Sequence, residues 1–155
     1  MAVIEETIDI RAPIHAVFSA LTDPRRGPEW NPNIVEVQLL SGLPVGEGTR
    51  WRQTTVMLGR QTNLICRIVQ FRPPYEGTLE VSGQYRGKIQ TICQEVDGAT
   101  RVTQRLEFTV PGGVFGRMAS GVAGSAIRRE LAQGMERQRI ALEREAGEAS
   151  GSGIA

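Results

Sequence analysis

Phe115–Glu145, FGRMASGVAGSAIRRELAQGMERQRIALERE, is the one long stretch of this 155-residue chain that repeats at helical rather than strand spacing. From Ile127 onward, Ile127, Leu131, Met135, Gln138 and Leu142 recur every three or four residues, with Arg128, Arg129, Glu136, Glu143 and Arg144 on the other side. That spacing predicts an amphipathic helix. Upstream the same face continues as Ala123, Ser120 and Gly116, with Gly124 beside it, so one half of the helix fills space against a sheet and the other leaves room. A second apolar stripe, Phe115, Met118, Ala119, Val122 and Ala126, is turned away from the first, and Gly121 and Gly124 sit at the change. Either the helix kinks or breaks there, or the early stripe covers a lid or a second subunit.

Before this helix the chain alternates as strands do. Ala2 to Arg11 reads as a first strand, and Ala12-Pro13 stops it. Pro13 suits the first turn of a helix whose apolar face is Ile14, Val17, Phe18 and Leu21; Arg25 to Pro32 makes at most a short helical turn. Six strands follow, near 34–40, 48–57, 60–71, 76–83, 86–96 and 100–110, separated by turn residues such as Gly46-Glu47-Gly48, Pro73-Pro74 and Asp97-Gly98. Tight turns between successive strands imply an antiparallel meander, hence an α+β domain whose curved sheet grips the terminal helix. A single domain over 1–146 and a flexible tail over 147–155 are expected.

Charge excludes some functions. The 18 Lys and Arg residues against 17 Asp and Glu leave a net charge of +1, dispersed along the chain, which argues against a nucleic-acid partner. No apolar run reaches the roughly 20 residues of a membrane span, and residues 1–10 lack the sections of a signal peptide, so a cytoplasmic location is expected. Cys66 and Cys93 fall within strands and read as small buried hydrophobes.

Strand parity proposes which side chains face the helix. Arg50 and Arg52 exclude one face of their strand, leaving Trp51, Gln53, Thr55 and Met57 inward. The same reasoning turns Leu64, Cys66 and Ile68 inward, then Ile89, Thr91 and Cys93, then Val102, Gln104, Leu106 and Phe108. Gln53 and Gln104 would need partners, because an unpaired buried amide costs about 1–3 kcal/mol. They either bond neighbouring groups or water, or they contact a ligand. Trp51 is either core or a binding platform. His15, the one histidine, lies off the helical apolar face, so no Ser-His-Asp or Cys-His site is evident. No residues have metal-ligand spacing and no glycine run forms a phosphate loop, so neither a metal nor a cofactor is expected. Inward carboxylates are expected to be scarce, and catalytic residues stay unassigned.

Several local motifs resemble the START-like, helix-grip (SRPBCC) superfamily, especially its polyketide cyclase/dehydrase branch. They are Ile10-Arg11-Ala12-Pro13 with Val17-Phe18 and Leu21-Thr22-Asp23-Pro24, then Glu29-Trp30-Asn31-Pro32, Gly46 to Trp51 and Phe71-Arg72-Pro73-Pro74, and the helix around Leu131 to Glu143. The resemblance implies a seven-stranded curved antiparallel sheet around a long C-terminal helix, with two short helices after the first strand and a deep apolar cavity. It also implies a hydrophobic small molecule as partner: polyketide-, lipid- or quinone-like. Gln104 and Gln138 depart from the apolar residues usual in the family.

The first reading is a binding module. Its cavity would be lined by Trp51, Gln53, Thr55, Leu64, Cys66, Ile68, Thr91, Cys93, Gln104, Leu106, Ser120, Ala123 and Ile127, with Trp30 at the mouth. The second is a cyclase or dehydratase acting on a poly-β-ketone by confinement and weak acid–base help. The third is an interaction domain, a homodimer through Phe115, Met118 and Val122.

Overall fold

Alternation makes residues 2–10 a strand, and a proline makes the next segment a helix. In the computed structural model, which describes residues 2–57, 59–109 and 122–152, β1 (Ala2–Ile10) leads into α1 (Ile14–Thr22) directly after Pro13. A 3-10 turn (Pro24–Arg26) follows, capped by the Asp23 carboxylate, which accepts from the Arg25 backbone N–H at 3.0 Å. Then come α2 (Gly27–Trp30), β2 (Ile34–Leu39), β3 (Arg50–Met57), β4 (Arg60–Arg72), β5 (Glu76–Gly83), β6 (Arg86–Val96), β7 (Ala99–Thr109) and α3 (Val122–Ser152).

The seven strands form one antiparallel sheet in the order β1-β7-β6-β5-β4-β3-β2. From β2 to β7 each strand pairs with its successor; β1 closes the row beside β7, with Ile4 opposite Leu106 and Ile8 opposite Val102. This is the curved sheet and long helix of the helix-grip fold. The β6–β7 turn is set by Asp97 and Gly98, both at positive φ (49° and 80°), the conformation a tight hairpin needs. Register shifts at Ile34/Glu36 and Ile68/Gln70 are bulges, which bend the strands that carry them.

α1 buries Ile14, Val17, Phe18 and Ala20, with Leu21 half-buried and His15 exposed. It lies close on the sheet because Gly77 offers no side chain: a Cβ there would stand 3.2 Å from Thr22 Cγ2 and 3.6 Å from Phe18 Cζ. α3 packs along the edge strand β1 and against α1 and α2. Arg26 ties the latter joint, pairing with Glu29 at 2.7 Å and with Glu145 of α3 at 2.6 Å, while its guanidinium sits 5.0 Å from the centre of the Trp30 ring.

Met135, Gln138 and Leu142 of α3 are buried, and Ile127 and Leu131 half-buried, as the three–four spacing requires. α3 continues to Ser152, past Gly147, where a flexible tail was expected. Ala146, Glu148 and Ala149 are strong helix formers, and extending a nucleated helix adds one hydrogen bond for each residue fixed. Residues 110–121, where most of the second apolar stripe and Ser120 fall, lie outside the described residues, as does the helix break expected at Gly121; α3 is already helical at Gly124.

Candidate functional site

Two apolar clusters stand on the inner face. The first joins Ile10, Cys93 and Val102 of the sheet to Val17 and Phe18 of α1, Trp30 of α2, and Met135 and Leu142 of α3. Helix side chains fill this half. The second is Trp51, Cys66 and Ile68, with Val37, Leu39, Val45, Leu79 and Val81 packed around them. Among the described residues no helix contributes to it; strands β2–β5 and the β2–β3 connection build it. Phe71 touches both clusters, its ring 5.4 Å from that of Phe18.

Strand register puts Trp51, Gln53 and Thr55 on the same face as Leu64, Cys66 and Ile68, since Trp51 is opposite Cys66 and Gln53 opposite Leu64. In β6 and β7, Ile89 is opposite Leu106, Thr91 opposite Gln104 and Cys93 opposite Val102, again on the inner face. The parity reading of these four strands therefore agrees with their pairing.

The polar residues among them are partly satisfied. Gln53 Oε1 accepts from Trp51 Nε1 at 3.4 Å and Gln53 Nε2 donates to Thr55 Oγ1 at 3.1 Å, while Cys66 Sγ lies 4.0 Å from the same Oε1. Gln104 Nε2 donates to Thr91 Oγ1 at 3.4 Å. The two 3.4 Å bonds are long, and each amide keeps capacity for at least one more partner. Gln138 differs: it is 5% exposed, and its Oε1 is fully buried with no hydrogen-bond partner among the described residues. Burial pushes the Cys66 and Cys93 thiols up to about 12, so both are protonated and unreactive near neutrality.

Three placements change the sequence reading. Trp30, expected at a cavity mouth, is buried at the α2–α3 joint; its carbonyl accepts from Arg137 Nη1 at 3.2 Å and faces Gly134. Gly134 and the Arg137 donor draw the α2 backbone down onto α3, which encloses the indole. Cys93 belongs to the filled half, packed beneath α1. Glu6 was not anticipated: it shares β1's inner face with Ile4, Ile8 and Ile10, stands opposite Gln104, and accepts from Arg128 Nη1 of α3 at 3.2 Å. Its parity with those isoleucines was readable, and it puts one carboxylate where few were expected. Ser120 lies outside the described residues, and of Ala123 only the helical backbone is described; Ile127 is half-buried on α3. Among the described residues no group of His, Cys, Asp and Glu could hold a metal ion.

A helix-grip domain with an apolar, amide-bearing inner face defines the class of protein. Residues 1–143 match the family described as polyketide cyclase / dehydrase and lipid transport, and the chain belongs to that family. No curated protein matches it in sequence. Among solved structures, TTHA0849 from Thermus thermophilus superposes with a TM-score of 0.77 at 13% identity, covering 93% of this chain and 99% of its own. A START superfamily protein from Mycobacterium smegmatis gives 0.69 at 15% identity, with 96% and 99% covered. The di-domain ARO/CYC StfQ from the steffimycin biosynthetic pathway gives 0.73 at 11% identity, with 94% of this chain and 52% of that one covered. At these identities the superpositions speak for the fold. No described helix is long and apolar enough to cross a membrane.

Proposed function

We propose that the chain binds a hydrophobic or amphipathic small molecule, polyketide-, lipid- or quinone-like, between the β2–β5 half of the sheet and the first turns of α3. One observation carries this reading: the second cluster is apolar and inward-facing, yet no described helix contributes a residue to it, and Phe18 reaches it only at Phe71 on its border. Gln53, Thr55, Thr91 and Gln104 add neutral hydrogen-bonding groups to an apolar wall, the composition of a small-molecule pocket. The family description, which joins cyclases and dehydrases to lipid transport, agrees with either carriage or processing of such a ligand.

The two tryptophans provide the test, because one stands in each half. A neutral apolar probe, N-phenyl-1-naphthylamine, should move the indole N–H resonance of Trp51 and leave that of Trp30 in place. A probe that binds and moves only Trp30 would put the pocket elsewhere. Native mass spectrometry of the freshly purified protein, with organic extraction, would then identify the class of any resident molecule.

A second reading, a cyclase or dehydratase, is favoured by Glu6. It is a carboxylate on the inner face, opposite the Gln104–Thr91 pair, and so could exchange a proton with a ligand that those two groups orient. Turnover of a poly-β-ketone surviving intact in Glu6→Gln would remove this carboxylate from the mechanism.

A further inference from the structure

The outer face of the sheet carries a recess of ≈ 530 Å³ that the inner ligand does not explain. Five charged residues cross it in one row of directly opposed strand positions: Arg50 and Arg67, Arg67 and Glu80, Glu80 and Lys88, Lys88 and Glu107. Arg86 and the exposed Ile65 complete the lining used here. The acids are engaged, Glu80 with Lys88 at 3.8 Å and Glu107 with Arg105 at 3.0 Å. Arg50, Arg67 and Arg86 have no ion-pair partner within 4 Å among the described residues. Arg50 sits directly opposite Arg67, and like charges so placed destabilise a sheet. In a chain whose net charge is only +1, composition does not force this crowding.

We propose that this recess is a second binding site, for a phosphate ester that bears an apolar group. Guanidinium forks match the oxygens of a phosphate in a way a point charge does not, and a dianion would relieve the opposed arginines. Ile65, 39% exposed beside them, supplies an apolar surface for the organic part. The recess is open to solvent rather than enclosed, with room for a small molecule lying along it. The charged residues that carry the assignment lie on the face of the sheet opposite the inner cluster, although Val81 of that cluster and Phe108 also border the recess.

Octyl phosphate, inorganic phosphate and octanol titrated into labelled protein at low salt test it, read at the arginine side-chain N–H and tryptophan indole resonances. Octyl phosphate should shift Arg50, Arg67 and Arg86 and spare Trp51, and octanol should shift none of these arginines. Arg67→Gln should weaken octyl phosphate by about tenfold, the weight of one charge-assisted hydrogen bond, and Arg67→Lys should recover only part of that. Ile65→Ser should weaken octyl phosphate severalfold without changing inorganic phosphate. The thermal midpoint of Arg67→Gln should stay level or rise, which separates lost binding from lost folding. Equal octyl phosphate affinity in wild type and Arg67→Gln, or shifts at Trp51 with none at the arginines, would overturn the site. Inorganic phosphate binding as tightly as octyl phosphate would overturn the ester and leave a bare anion site.

Discussion

The two halves of the inner face begin from the same pattern and end differently. β6 and β7 place Cys93 and Val102 inward, and β3 and β4 place Trp51, Cys66 and Ile68 inward, all nearly inaccessible. On the first pair lie Val17 and Phe18 of α1 and Met135 and Leu142 of α3. To the second, no described helix contributes a residue, and Phe18 touches it only at Phe71 on its border. Alternation alone therefore marks a wall without saying what the wall faces. Where described helices deliver large side chains the wall is core with them; over the second cluster the described neighbours come from β2–β5 and the β2–β3 connection.

Truncation should separate the halves most strongly. Met135→Ala opens a hole in a filled cluster and should cost about 2–5 kcal/mol, the transfer term plus an unrelaxed cavity. Leu64→Ala, at a position opposite Gln53 and beside the site proposed for the ligand, should cost only the transfer term, roughly 1.5–3 kcal/mol. Urea denaturation of the ligand-free variants measures both, and equal costs would mean that the second half is packed as tightly as the first.

Gln138 offers a smaller effect of opposite sign. Its amide oxygen lies between Met135 and Leu142 on the buried stripe and has no described partner. Gln138→Leu should therefore raise stability by about 1 kcal/mol in the ligand-free protein, because an unpaired buried group is removed without loss of volume. A loss of stability instead would show that ordered water satisfies the amide.

The two thiols report on both halves at once, through pH. Burial holds Cys66 and Cys93 near 12 against an ordinary value of 9.0, so the unfolded chain ionises first. Their contribution is fully present below about pH 9 and is lost as pH rises toward 12. The denaturation midpoint should fall over that window, and less so in a Cys66→Ala/Cys93→Ala variant. In the native protein near neutrality both thiols should resist an aromatic disulfide reagent until denaturant is added.

Much of the fold was legible because its signals are local. Asp97-Gly98 announces its hairpin through the backbone freedom of those two residues, and the stripe from Ile127 to Leu142 announces a helix by spacing alone. Inward facing was legible wherever a charge excluded one parity, as Arg50 and Arg52 did for β3. Glu6 was missed because a lone acid among isoleucines looks like an interruption of the strand. The structure leaves its side chain partly exposed at the edge strand, with Arg128 of α3 at 3.2 Å, so the acid sits on the inner face without being buried. Trp30 was misplaced for a related reason: nothing near it in sequence reveals that Gly134 and Arg137, about a hundred residues away, draw its backbone into the core.

The sequence by itself determined the elements, their antiparallel order and the faces of the strands, since propensity, turn chemistry and period act between near neighbours. The tertiary structure alone decided which part of that inner face is filled by helices, that Gln138 has no described partner, and that Arg50, Arg67 and Arg86 share one recess. Each of those facts depends on how segments far apart in the chain are brought together, and contacts over such separations leave no periodic trace in a single sequence.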